Sequence, residues 1–174
     1  YRELVQETFS LGLHQGSATV LTLKIFNMKK LISVMEPQEL SSIVSGITSS
    51  VIEASRVGNG QIVKNSPDKV VIAWNTTKKQ QNHVVQATTT MVKLSRRLED
   101  LRSDWSEDKV RSSINIRLAV ATGHAIYGNF GTEKVKYFTV LGDPVDVSTS
   151  LCHMAEMWNV RTVCCNSTVA HLRN

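Results

Sequence analysis

Residues 116–151 read IRLAVATGHAIYGNFGTEKVKYFTVLGDPVDVSTSL, and no other stretch limits the fold as strongly. An alternating, β-branched run opens it, a glycine-bounded turn follows, and a second strand leads to a Gly-Asp pair that starts a helix. Gly123, Gly128, Gly131 and Gly142 punctuate the run. Glycine stands where a backbone turns tightly or where something approaches it closely. The stretch therefore encodes a strand–turn–strand–helix unit. Such a unit suits a small-molecule site, and it suits an ordinary hairpin equally.

The remaining elements fit around it. Residues 18–26 (ATVLTLKIF) alternate and read as a strand, with Lys24 late in it. Pro37 opens an amphipathic helix whose Leu40, Ile43, Val44, Ile47, Val51 and Ala54 follow the helical period. Gly58-Asn59-Gly60 ends that helix. Residues 61–74 form two short strands joined by a turn over Ser66-Pro67-Asp68-Lys69. A second long helix spans 80–101, with Val84, Val85, Ala87, Met91, Leu94, Leu98 and Leu101 as its buried stripe. A polar connection over 103–113 leads into the glycine-rich unit. Its helix runs from Pro144 toward Trp158, then come a short strand at 160–165 and a helical turn at 167–172. The predicted fold is α+β: a ferredoxin-like βαββαβ core extended by a hairpin arm, a helix and a strand.

A chain of 174 residues suits one domain with its own core. It holds no apolar run of about 18 residues, so no transmembrane helix is expected. Three cysteines, Cys152, Cys164 and Cys165, give an odd count without metal-site spacing, which reads as reduced structural thiols. The net charge of +5 is spread along the sequence as a solvated surface. The scattered histidines, His124 in the glycine-rich hairpin among them, lack metal-binding spacing. The segment FGTEKVKYFTV lacks the residue order of an RNA-binding strand, so nucleic acid is not an expected partner.

The sequence resembles the catalytic domain of class III nucleotidyl cyclases, the adenylate and guanylate cyclases. The likeness is strongest over RLAVATGHAIYGNFGTEKVKYFTVLGDPVDVSTSL, with weaker echoes in ATVLTLKIF, MEPQEL and GQIVKNSPD. It covers roughly residues 18–172. It implies a lead-in at 1–17, a cyclase-homology domain at 18–174, and a family C-terminal hairpin that is absent or lies beyond Asn174.

The resemblance implies two protomers head to tail, with sites across their interface. One protomer supplies two aspartates for two divalent metals, which neutralise a triphosphate and lower the pKa of the attacking hydroxyl. The other supplies an asparagine and an arginine that orient the ribose and stabilise the phosphoryl group in transit. Here Lys24 stands where the first metal aspartate is expected, and an ammonium cannot ligate Mg²⁺. Asp68 matches the second aspartate, with Pro67 in place of the usual glycine; it is either a lone ligand or a plain turn residue. An ion pair between Lys24 and Asp68 in place of the metals is a further expectation. Lys64 and Thr139 match the base-recognising positions and are either nucleotide contacts or ordinary strand residues. Asp146 and Ser150 replace the asparagine and the arginine, four apart on one helix face. Asp143 is expected to cap that helix.

These substitutions predict a domain that is catalytically inactive by itself. It would act as a homodimer, or as a heterodimer with another cyclase domain, through the arm at 128–140 and the sheet face carrying Lys64. ATP or GTP is an implied ligand, and Mg or Mn only where a competent partner supplies the site. The alternatives are a subunit of a heterodimeric cyclase whose partner brings both metal aspartates, and a purely structural scaffold. No membrane contact is expected of this segment. The resemblance implies an intracellular place on the cytoplasmic face, either alone or within a larger membrane-attached protein.

Overall fold

The computed structural model describes residues 12–103, 113–132 and 134–173. The connection expected over 103–113 and the lead-in at 1–17 fall largely outside them. Strand β1 (His14–Ile25) begins four residues before the alternating run and is buried almost without interruption from Ala18 to Leu23. A strand buried on both faces must be covered on both sides. β1 pairs antiparallel with β3 (Lys69–Trp74) on one edge and with β4 (Ile116–Gly131) on the other. β2 (Gln61–Ser66) pairs with β3. β5 (Lys136–Leu141) and the short parallel β6 (Thr162–Cys164) join the free edge of β4 at its two ends. The order β2-β3-β1-β4 is the arrangement of a ferredoxin-like core.

Odd-numbered residues of β1 face two long helices, α2 (Pro37–Val57) and α3 (His83–Ser103). Leu21, Leu23 and Ile25 pack there with Ile72, Trp74, Leu118 and Val120 against Ile43, Ile47, Val51, Met91, Leu94 and Leu98. Each such side chain contributes about 1.5–3 kcal/mol on burial. Val85 departs from the expected stripe: it is exposed, because the α3 face toward the sheet runs through Val84, Ala87 and Met91. A short helix, α1 (Met28–Val34), follows β1 directly; the sequence reading did not contain it. The buried Trp74 indole donates to the Gly58 carbonyl at 2.7 Å, satisfying the end of α2.

The opposite face carries Ala18, Val20, Val71, Ala73, Ala125 and Val140. The third long helix, α4 (Asp143–Met157), lies on this face and not with α2 and α3. The Thr22 and Ser148 hydroxyls meet at 2.8 Å, and the buried Cys152 thiol donates to the Thr22 carbonyl at 3.3 Å. Gly142 starts α4 with φ +125°, and a Cβ there would lie 3.0 Å from the His124 carbonyl oxygen. The backbone turn thus demands glycine at that position. Asp143 does not cap the helix, since Gly142 holds the N-cap position and no side chain bonds across it. The Asp143 and Asp146 carboxylates instead stand in the first turn, where the helix dipole favours negative charge.

A buried polar chain ties the helical side together. His83 Nδ1 lies 2.7 Å from the Thr19 hydroxyl, Thr19 2.9 Å from Thr122, and Thr122 3.0 Å from Thr168 on α5 (Asn166–Arg173). Burial, and secondarily His171, holds the His83 pKa below the usual histidine value. The folded protein therefore resists taking the proton that the unfolded chain accepts below about pH 6.5. The stabilising contribution of neutral His83 is complete above that pH and is lost as the pH falls. The urea midpoint is expected to drop between pH 7.5 and pH 5.5, and to drop less in His83→Gln, which cannot titrate; parallel pH profiles for the two proteins would contradict this.

Candidate functional site

Around α4, the sheet face opposite α2 and α3 brings together charged groups from four elements. Lys24 on β1 is the register partner of Lys69 on β3 and of Arg117 on β4. Three cations thus form one row across the sheet, on the side of Thr22. Arg117 is buried and neutralised: Nε is 3.0 Å from Glu156 on α4, and Nη2 donates to Asn159 Oδ1 at 3.1 Å. Lys69 has no such acid among the described residues. Its ammonium donates to the Thr149 hydroxyl on α4 at 2.8 Å. The Lys24 ammonium lies 5.5 Å from the centre of the Phe26 ring, a cation–π contact.

The electrostatics follow from this crowding. Partial burial lowers the Lys69 pKa from the ordinary lysine value, and Lys64 and Lys24 lower it further, while Cys152 and Asp146 act in the opposite sense. Burial pushes the Cys152 thiol up to about 12, against a smaller opposing pull from Lys69 and Lys24. Cys152 therefore stays a protonated structural thiol. The three cysteines are free, as their number and spacing suggest.

The turn between β2 and β3 is held by its backbone. Ile25 N donates to the Asp68 carbonyl at 2.8 Å, and the Ser66 hydroxyl lies 3.2 Å from Asp68 Oδ1. The ion pair expected between Lys24 and Asp68 does not form. Ion pairs between described residues join Arg97 to Glu53, Arg117 to Glu156 and Arg161 to Glu99. The reason is register: Lys24 sits across from Lys69, its amine runs along Phe26, and the Asp68 carboxylate stays beside Ser66.

No family model matches the sequence. Adenylate cyclase type 10 of Mus musculus is 27% identical over 123 residues, which cover 71% of this chain and 7% of that protein. Adenylate cyclase 1 of Rhizobium meliloti (strain 1021) is 22% identical over 179 residues, covering 99% of this chain and 27% of the relative. The chain thus spans a small part of the curated relatives it matches. Among solved structures, the adenylyl cyclase CyaB from P. aeruginosa superposes with a TM-score of 0.84 at 19% identity, over 94% of this chain and 83% of that one. The guanylyl cyclase Cya2 gives 0.73 at 17% identity, over 82% and 72%. This chain is similar in sequence to adenylate cyclases and shares the fold of class III cyclase catalytic domains.

The residues at the metal positions that the resemblance implies do not fit divalent cations. Among the described residues no three His, Cys, Asp or Glu side chains cluster to hold a metal. Asp68 is the one carboxylate at the β2–β3 turn, and the ammonium groups of Lys24 and Lys69 stand on the adjoining strands where hard anionic oxygens are needed. Asp146 and Ser150 are both exposed on α4, on either side of the contact between Lys69 and Thr149. Lys64 is exposed on β2 after a bulge, opposite Val71, and Thr139 is half-buried opposite Gly128. Val63 and Phe138 pack into one cluster, which brings the two strands close. No hydrogen bond joins Lys64 to Thr139. Val140 points into that cluster, so strand alternation turns Thr139 to the other side of β5.

Sequence reasoning placed Lys69 in a turn and missed it as part of this site. Its signal was strand alternation, which puts Lys69 on the side of Val71 just as it puts Lys24 on the side of Thr22. Like charges directly opposite on neighbouring strands oppose pairing, by roughly 0.2–1 kcal/mol. Lys24→Met keeps the aliphatic stem and removes the repulsion. Its melting temperature at low ionic strength is expected to exceed that of the natural domain, and the gain is expected to shrink as salt is added. A lower melting temperature at low salt would show that Lys24 and Lys69 do not repel.

Proposed function

We propose that this cyclase-homology domain serves in a cyclic-nucleotide signalling protein as a dimerising and regulatory module that makes no cyclic nucleotide by itself. The observation that carries the reading is Lys24, a cation where the implied chemistry requires a carboxylate, set in register against a second cation, Lys69, beside the single retained Asp68. Asp146 and Ser150 add to it, since neither offers the amide or the cation that the reaction calls for on α4. Loss of a single positioned donor in such a site costs about 2.7–4 kcal/mol in barrier, and here several groups are exchanged together. Apolar exposure on the arm supports the dimer: Val135 is 68% and Tyr137 61% exposed, with Ile126 and Leu141 nearby on the paired strands.

Purified protein with Mg²⁺ or Mn²⁺ and ATP or GTP is expected to give no cyclic product, and measurable turnover by the isolated domain would refute the reading. Sedimentation is expected to give a dimer, or a heterodimer once a domain with both metal aspartates is supplied. The pair Val135→Asp and Tyr137→Lys is expected to leave a folded monomer. A natural domain that stays monomeric with either partner removes the dimerising role.

The heterodimeric-enzyme reading draws on Lys64 and Thr139, chemically suited to a purine and carried on strands that pack together. It separates from the first at positions 146 and 150. Mixed with a domain carrying both aspartates, the natural chain is expected to add no activity. Asp146→Asn with Ser150→Arg is expected to raise product formation by at least about tenfold, the order of one restored transition-state donor. Equal activity of the two mixtures, with product from both, would favour the enzyme subunit.

A further inference from the structure

The buried hydroxyl chain that begins at His83 fixes more than packing. Each hydroxyl in it has one proton and two neighbours, so the whole chain must point one way. Its far end decides which. The Ser167 hydroxyl donates to the Thr122 carbonyl at 2.6 Å, so its proton is not free for Cys165, whose Sγ lies 2.9 Å away. The thiol therefore donates to Ser167, and its sulfur accepts from the Thr168 hydroxyl at 3.1 Å. Thr168 then accepts from Thr122, Thr122 from Thr19, and Thr19 from His83 Nδ1. His83 thus carries its proton on Nδ1, and the lone pair is left on Nε2. The residue is 8% exposed, and no described residue bonds Nε2. Burial holds its pKa down, so the lone pair is present at neutral pH.

The His83 ring lines a cleft of about 400 Å³ at the start of β1, together with Ser17, Asn75, Lys79, Gln80 and Tyr127. Ser17 lies seven residues from Lys24, roughly 23 Å along the strand, so the cleft is remote from the charged row beside α4. Its wall is preformed. Asn75 and Gln80 each accept the other's backbone N–H at 2.8 Å, and their amide nitrogens donate to the Ser17 and Asn59 carbonyls. Those two amides are spent on holding the loop. Lys79 is exposed and has no ion pair among the described residues, and none of the described carboxylates lines the cleft. Tyr127 adds an aromatic surface that lies over Gly16, where a Cβ would stand 3.3 Å from the phenol oxygen.

We propose that this cleft binds a small hydroxylated anion, a polyol carrying one carboxylate or phosphate, with a ligand hydroxyl donating to His83 Nε2 and the anionic group held by Lys79. The site is separate from the proposed loss of catalysis and does not depend on it. A buried acceptor left without a donor is costly, so the cleft selects a ligand that brings one. An ammonium donor is repelled by Lys79, which leaves the hydroxyl. A metal ion would find one imidazole and no carboxylate, too few ligands to hold it. The Tyr127 ring offers an apolar face to the C–H groups of a polyol and a hydroxyl to its rim.

Calorimetry with gluconate and with glucose 6-phosphate tests this, with glucose and inorganic phosphate as probes that each lack one of the two groups. Saturable binding of at least one anionic polyol is expected, and the preferred one tells carboxylate from phosphate. Glucose and phosphate are each expected to bind at least about tenfold more weakly, the order of one charge-assisted hydrogen bond. Lys79→Met is expected to lower the affinity for the anionic polyol by a similar factor. Nitrogen-15 spectra are expected to show His83 protonated at Nδ1 in the free domain, with the Nε2 signal moving on ligand addition. Thr168→Val cuts the chain three hydrogen bonds from His83, and thermal unfolding checks that the variant is folded. It is expected to relax the tautomer preference and weaken binding, a response that a merely structural hydroxyl would not give. Protonation at Nε2 in the free domain, no saturation with either anionic polyol, or unchanged affinity in Lys79→Met would each overturn the proposal.

Discussion

Strand β1 is hydrogen-bonded along both edges and covered on both faces, and the rest of the domain is arranged by that double burial. Ala18 to Leu23 can be dry only if neighbours pair with every backbone group and layers close above and below. Leu21, Leu23 and Ile25 recruit α2 and α3; Val20 and Thr22 recruit the arm and α4. Because side chains alternate with a period of two, a one-residue slip would bury Lys24 under α2 and α3 and turn Leu23 toward α4. The apolar pattern therefore locks Lys24 onto the side of α4, opposite Lys69. The charged row is a consequence of core packing, not of local attraction.

The same constraint explains how α4 presents its residues. Gly142 supplies a backbone turn closed to other side chains, and Ser148, Cys152 and Ala155 are buried against β1 and β4. With those three turned inward, the helical period leaves Asp146 and Ser150 outward and Thr149 at the boundary, where Lys69 reaches it. Arg117 and Glu156 close the other end of the helix against the sheet. One removed partner there would strand a buried charge, which is far costlier than losing a surface pair. α4 is thus fixed at both ends, and its outer face follows from its inner one.

Much of this was legible in the sequence, because period and punctuation are local properties. The alternation in 18–26, the proline-led helix and the glycines of 116–151 each announced their element. The expectations at 24, 146 and 150 rested on the resemblance alone. What escaped depended on pairing between distant segments. Lys69 could be recognised only once β3 was laid against β1. The expected contact of Lys24 with Asp68 failed because strand register sets Lys24 across from Lys69, with its amine over Phe26. Asp143 lost the capping role to Gly142, whose backbone angle no residue-type preference reports. α1 has seven residues and a single buried side chain, Leu31, too little periodicity to read.

On the proposed reading, Lys24 and Asp146 invert the charge that the implied chemistry needs at one position on each side of the site. The strand side carries Lys24 where the resemblance implies one aspartate, keeps Asp68 at the other and sets Lys69 across from Lys24; the helix side carries Asp146 and Ser150 where the resemblance implies an amide and a cation. Inversion of both is self-consistent, since Asp146 offsets part of the repulsion that Lys69 meets from Lys64 and Lys24. It also makes reversal by one step ineffective. An aspartate at position 24 would be drawn to the opposing Lys69 ammonium and form an ion pair across the strands before it could ligate a metal. On the proposed reading, the apolar register that keeps the two positions opposite each other is also what disfavours a metal at position 24.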